Sequence, residues 1–165
     1  MKKFELTTDT KMFLGRKLFR IKALISFGNV KVGDMGGYIE KEENLSQYGN
    51  AWVYGDAKVS GNAWVYGNAK VYGDAWVYGN AKVSGNAKVS GNADYATASG
   101  FGSEYRTTTF FKLKNSDEIG VRCGCFYGTL KEFKEKVKET HGESKKAKEY
   151  LMLADLMEYR FSEEK

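Results

Sequence analysis

The chain has no proline, one histidine and two cysteines among its 165 residues. Cys123 and Cys125 lie two apart on a predicted strand, a poor disulfide geometry and half of a zinc site at best. With His141 the lone histidine, neither a structural metal nor a cofactor is expected. No run approaches the eighteen or so apolar residues of a membrane span. The opening Met-Lys-Lys-Phe-Glu-Leu-Thr also lacks the apolar stretch of a signal peptide. The expectation is a cytoplasmic protein with no membrane partner. The absence of proline carries no functional reading.

The net charge of +5 is modest and uneven. The excess is N-terminal, in Arg16, Lys17, Arg20, Lys22 and Lys31, with no acid between them. Such a cluster meets an anion or forms a solvated strand face. The second is the commoner case, and nucleic acid is not the expected partner.

What the chain has in abundance is one hexad, Gly-Asn/Asp-Ala-Trp/Lys-Val-Tyr/Ser, from Gly49 to Ala93. Valine recurs every six residues from 53 to 89, and alanine from 51 to 93. A strict short period means a solenoid. Ala and Val are two residues apart, so on extended backbone both point inward while the Trp or Lys between them points outward. Tyr48, Trp52, Tyr54, Trp64, Tyr66, Tyr72, Trp76 and Tyr78 are therefore predicted to face out. The Gly-Asn or Gly-Asp pair supplies each corner, because both residue types tolerate the left-handed region. Two coil geometries compete. With twelve residues per turn the three tryptophans stack on one face; with eighteen they occupy three faces.

The flanks follow from pattern. Lys3–Thr8 and Lys17–Phe27 read as strands, and Gly33-Asp34-Met35-Gly36-Gly37 as a turn. Tyr38-Ile39-Glu40 is expected to open the solenoid, with Ile39 and Leu45 in the alanine register as a bulky plug. Tyr95 and Phe101 replace valine as a cap, followed by a hinge at Gly100, Gly102 and Ser103. Tyr105–Asn115 and Glu118–Tyr127 predict a β-hairpin turned at Asn115-Ser116-Asp117. Thr129-Leu-Lys-Glu132 is a capping box opening a helix that ends at Gly142, and a second helix runs from about Ser144 to Phe161. The boundaries are an N-terminal β cap (1–44), the repeat (45–103) and a C-terminal α+β module (104–165).

The hexads resemble the bacterial hexapeptide-repeat superfamily, whose fold is a left-handed parallel β-helix with three hexads per coil. That resemblance favours the eighteen-residue turn. It implies a mainly β fold: a short left-handed parallel β-helix with an N-terminal β cap, a C-terminal β-hairpin and two α-helices. The ends, Phe-Arg-Ile-Lys-Ala and Gly-Asp-Met-Gly-Gly-Tyr-Ile-Glu-Lys-Glu-Glu-Asn-Leu-Ser before the repeat and Cys-Gly-Cys-Phe-Tyr-Gly-Thr-Leu-Lys-Glu-Phe after it, resemble small phage and prophage hexapeptide-repeat proteins.

The superfamily is best known for acyltransferases, which place a histidine on the β-helix to deprotonate the acceptor. This repeat has none, and its carbonic-anhydrase branch needs three histidines. His141 is expected at an exposed helix end. Cys123 or Cys125 as a nucleophile needs His141 as its base from elsewhere in the fold. Asp56 and Asp74 alternate with Asn in their own repeat, which argues for turn geometry. No catalytic residue is expected.

What remains is binding. The resemblance implies homotrimers whose subunit clefts hold ligands. The expected function is a non-catalytic, homotrimeric phage accessory protein that sequesters a small anionic, nucleotide-like ligand, such as a bacterial immune signal. The candidate ligand-binding residues are Trp52, Trp64, Trp76, Tyr54 and Tyr66 for stacking, and Lys58, Lys70, Arg106 and Arg122 for phosphate. A structural or protein-docking phage module is the alternative, and an acyltransferase the third.

Overall fold

The inward rows of the repeat are closed to solvent: alanines 51 to 87 and valines 53 to 89 are at most 1% exposed. In the computed structural model, which describes residues 1–114 and 117–162, each hexad contributes one two-residue strand to this core. These strands are β4 (Trp52–Val53), β5 (Lys58–Val59), β6 (Trp64–Val65), β7 (Lys70–Val71), β8 (Trp76–Val77), β9 (Lys82–Val83) and β10 (Lys88–Val89). They are preceded by β1 (Phe4–Phe13), β2 (Arg16–Ala23) and β3 (Met35–Ile39). The chain divides into two compact units, Met1–Asn92 and Ala93–Lys165.

Pairing within the repeat is parallel, and partners are eighteen residues apart: Trp52 with Lys70 and Lys70 with Lys88, Lys58 with Trp76, Trp64 with Lys82. A twelve-residue turn would have paired Trp52 with Trp64. The three tryptophans therefore stand in three different ladders, β4-β7-β10, β5-β8 and β6-β9. Each valine stacks on a valine, as Val53 does on Val71. The corner glycines from Gly49 to Gly85 have φ between 56° and 72°, which only glycine holds at no steric cost.

A parallel ladder cut at its first strand leaves carbonyls without partners, and three devices supply donors. On the first face β3 runs parallel to β5, so that Tyr38 N donates to Ala57 O and Glu40 N to Val59 O, both at 3.0 Å. On the second, the Asn44 side-chain amide donates to Gly61 O at 3.1 Å and Ala63 O at 2.8 Å. On the third, Lys3 Nζ donates to Ala51 O at 2.8 Å. Asn44 and Lys3 are both fully buried.

Three sequence expectations change here. Gly36 and Gly37 lie in β3, not in a turn. A Cβ on Gly36 would stand 2.6 Å from Val53 O, and one on Gly37 2.6 Å from Ala57 O, so the strand lies against the coil only because both side chains are absent. Ile39 and Leu45 pair with Val59 and Val65, which puts them in the valine rows, not the alanine register. Two extra residues between Leu45 and Val53 cause the shift. That longer segment carries Gln47, whose Oε1 accepts from Lys3 N at 2.7 Å and Phe4 N at 3.2 Å and tethers the start of β1. Finally, Lys17–Phe27 is not one strand, because β2 ends at Ala23.

Two of the five residues of the basic cluster form ion pairs within the fold, while Lys17, Lys22 and Lys31 are exposed. Arg16 pairs with Glu40 at 2.8 Å, and Arg20 lies 3.3 Å from Asp9 and 3.8 Å from Asp56 while donating to Tyr38.

In the second unit β11 (Tyr95–Phe101), β12 (Arg106–Lys112), β13 (Ile119–Cys123) and β14 (Phe126–Thr129) form an antiparallel sheet in that order. The expected cap and hinge at 95–103 is instead a strand and the turn that follows it. The predicted strand 118–127 is two strands, broken at Gly124, where φ is 58°. Asn115 and Ser116 of the expected hairpin turn lie outside the described residues. Helix α1 (Leu130–His141) starts on the Thr129–Glu132 capping box and ends at Gly142; α2 (Lys145–Phe161) starts on Ser144. Leu130, Phe133 and Val137 of α1 join Tyr150, Ala154 and Met157 of α2 over Phe110 and Val121. No helix among the described residues is long and apolar enough to cross a membrane.

Candidate functional site

Within the second unit two strand connections, the C-terminal half of α1 and one tyrosine of α2 enclose a cleft of about 350 Å³. Its apolar wall is Phe101, Phe126, Phe133 and Val137; its polar groups come from Ser103, Glu104, Arg106, Cys123, Lys136, Thr140, His141 and Tyr150. The helical residues follow from spacing. Phe133, Val137 and His141 form one i, i+4 row and Lys136 with Thr140 the adjacent one. The capping box at Thr129 therefore sets which face of α1 meets the cleft.

Two glycines fix the other walls. A Cβ at Gly124 would fall 2.1 Å from Arg106 Nη1, and one at Gly102 2.1 Å from the Tyr150 hydroxyl. Both glycines also have positive φ, 58° and 80°. The guanidinium thus lies against the β13–β14 turn and the phenol against the β11–β12 turn, each so close that a larger residue would have to displace it.

At the floor, Thr108 Oγ1 donates to Cys123 Sγ at 3.2 Å and the Tyr150 hydroxyl donates to Phe101 O at 3.2 Å. Sγ and that hydroxyl are 3.8 Å apart. Burial pushes the Tyr150 phenol up to about 12, with the neighbouring Cys123 adding to the shift and Arg106 opposing it. Tyr150 is therefore neutral at neutral pH. Arg106 is exposed, and among the described residues no carboxylate forms an ion pair with it. The second cation, Lys136, is 3.8 Å from Glu139. This arrangement offers cationic and hydroxyl groups beside aromatic rings, the composition of a site for a small amphipathic anion.

His141 is the last residue of α1, as expected, but it is half-buried and lines this cleft, with its ring 6.1 Å from that of Tyr150. Cys123 lines the cleft as well, whereas Cys125 does not. Among the described residues no group of three His, Cys, Asp or Glu side chains is placed to hold a metal ion.

Of the nine ligand-binding candidates read from sequence, only Arg106 lines this cleft. Trp52 does not face solvent: it is 1% exposed, with Phe4 and Phe27 packed edge-on at 6.3 and 5.3 Å. The period correctly points Trp52 away from the alanine-valine core, and the N-terminal segment then covers it. Trp76 is half-buried against Phe13 at 5.0 Å, stacks on Tyr78 and donates from Nε1 to Ser60 at 2.8 Å. Lys58 is buried, donates to Asp56 O and lies over Phe13. Tyr54 meets Tyr72 edge-on, and burial raises its pKa. Lys70 is half-buried between Trp52 and Lys88 in its ladder. Arg122 lies between Thr109 and Tyr127 in the sheet, and strand alternation points it away from the side that Cys123 lines. Trp64 remains 37% exposed, stacked on Tyr66 at 3.9 Å.

Sequence reasoning missed Phe101, Phe126, Phe133, Lys136, Thr140 and Tyr150 as cleft residues. The available signal was Gly102 and Gly124 beside strand ends, which positive φ in a turn explains as well as a close-packed side chain does. Comparison of the chain with protein-family models gives no match, and comparison with curated proteins gives none either.

Proposed function

We propose that the chain is a non-catalytic binding protein that holds a small anionic, nucleotide-like molecule in the cleft of its second unit. The observation that carries this reading is the Arg106 guanidinium, seated on Gly124 without an ion-pair partner among the described residues, at a cleft walled by Phe101, Phe126 and Phe133. Charge and rings together fit a planar anion better than either does alone. This reading favours the second unit over the repeat, whose Trp52 and Trp76 are engaged by Phe4, Phe27 and Phe13.

The wider proposal retains the two resemblances. The repeat is a left-handed parallel β-helix, a winding in keeping with its eighteen-residue register; the protein is a homotrimeric phage accessory factor that sequesters its ligand in the host cytoplasm. The test is to purify the protein, release its small molecules by denaturation and identify them by mass spectrometry and ultraviolet absorbance. A stoichiometric anionic, ultraviolet-absorbing molecule is expected. A protein that is empty and whose melting temperature no nucleotide shifts would refute the reading. Light scattering should give the mass of three chains; a monomer would remove the trimer.

One observation favours a second reading, a protein-docking module. Trp64 and Tyr66 form a stacked pair with the indole 37% exposed, the kind of ring surface that proteins use as a contact.

A further inference from the structure

We infer that the cleft selects a molecule with one planar ring system and one phosphate, a nucleoside monophosphate in size and charge, and excludes cyclic dinucleotides and free phosphate. This rests on the binding reading above and goes further by fixing ligand size and charge.

Size is the first argument. About 350 Å³ is at the small end of ligand sites, which run from roughly 300 to 1,000 Å³. A cyclic dinucleotide carries two bases and two phosphates, about twice what one base, one sugar and one phosphate require. The second argument is charge. Arg106 is a lining cation without an ion-pair partner among the described residues, whereas Lys136 is 3.8 Å from Glu139. One such cation suits a single phosphate group better than two. The third is the division of the lining. Phe126 and Phe133 stand 5.7 Å apart at a 55° tilt, and Phe133 meets Tyr150 edge-on at 5.5 Å. These rings make a continuous apolar wall for a base, while Ser103, Thr140 and Arg106 provide polar contacts for a phosphate. The Tyr150 hydroxyl is already committed to Phe101 O, so it orients the wall and donates nothing to the ligand. A phosphate without a ring leaves the aromatic wall uncovered, and a ring without a phosphate leaves Arg106 without an anion.

The experiment is titration calorimetry of the full chain with the four ribonucleoside 5′-monophosphates, the matching nucleosides, inorganic phosphate and a cyclic dinucleotide. At least one monophosphate should bind, with its nucleoside and inorganic phosphate each weaker by tenfold or more and the cyclic dinucleotide silent. Arg106→Gln should weaken the monophosphate by at least tenfold, the nucleoside by much less, and leave the melting temperature unchanged. A cyclic dinucleotide that binds as tightly as the best monophosphate, or free phosphate that does, overturns the size and ring argument while leaving anion binding intact. If no ligand in the panel binds, the binding reading falls, and this inference with it.

Discussion

Lys3 Nζ, buried and 4.7 Å from the centre of the Phe27 ring, donates to the carbonyl of Ala51 at 2.8 Å. A lysine side chain thereby does for the first strand of the β4-β7-β10 ladder what a preceding strand would do with its backbone. Burial lowers the Lys3 pKa from 10.5 to about 8, and stability becomes linked to pH. Between these two values the unfolded chain binds a proton that the folded chain has released, so folding stability rises with pH. The urea midpoint of the wild type should gain on that of Lys3→Met between pH 7.5 and 10. A constant gap across that window would contradict the linkage.

Asn44 closes another ladder, and its Oδ1 also accepts from Lys41 N at 2.9 Å. Asn44→Ala leaves Gly61 O and Ala63 O without that donor in a buried position, a cost of about 2–3 kcal/mol. Asn44→Asp should be at least as damaging, since it keeps the shape but reverses the donor. Denaturant unfolding reads both.

Leu14 and Gly15 connect β1 to β2 with φ of 48° and 80°, and Leu14 is 71% exposed. An L-residue with a branched side chain is strained by about 1–2 kcal/mol in this region, whereas Asn-Gly is the favoured pair for a two-residue hairpin. Leu14→Asn should therefore raise stability by about 0.5–1 kcal/mol, read as a higher urea midpoint at unchanged slope.

The tryptophans separate by environment. Trp52→Ala removes a fully buried ring and should cost about 3–5 kcal/mol, while Trp64→Ala should cost under about 1 kcal/mol. Acrylamide quenching checks the same assignment without stability: Trp64→Phe should remove most of the quenchable emission, and Trp52→Phe almost none of it.

Gly124→Ala tests the seat of Arg106. The methyl group would collide with Nη1, and positive φ adds strain. The expected outcome is a loss of roughly 1–2 kcal/mol of stability together with at least a tenfold loss of affinity for any ligand that Arg106 holds. Binding that survives intact would remove Gly124 from the site.

What the sequence reveals is local and periodic. The alanine and valine rows follow from alternation within six residues, and Thr129, Glu132, Gly142 and Ser144 mark both helices by capping chemistry alone. The burial of Trp52 is another matter, because it depends on Phe4 and Phe27, which are 48 and 25 residues away and belong to no period. The cleft is hidden for the same reason. Arg106, Cys123, His141 and Tyr150 come from two strands and two helices, and no spacing rule joins them. Gly36 and Gly37 show a different limit. A glycine pair that reads as a turn can equally mark two backbones in contact, and the sequence has no mark that separates the two.

The eighteen-residue register also sets the units in which this chain can change length. Loss of three consecutive hexads shortens the stack by one rung of about 4.8 Å and returns every remaining strand to its own ladder. Loss of a single hexad does not. It advances all later strands by one face and takes each out of the ladder that it continues. Insertions and deletions within the repeat should thus survive in multiples of eighteen residues, a counting rule imposed by the ladders and not by the hexad itself.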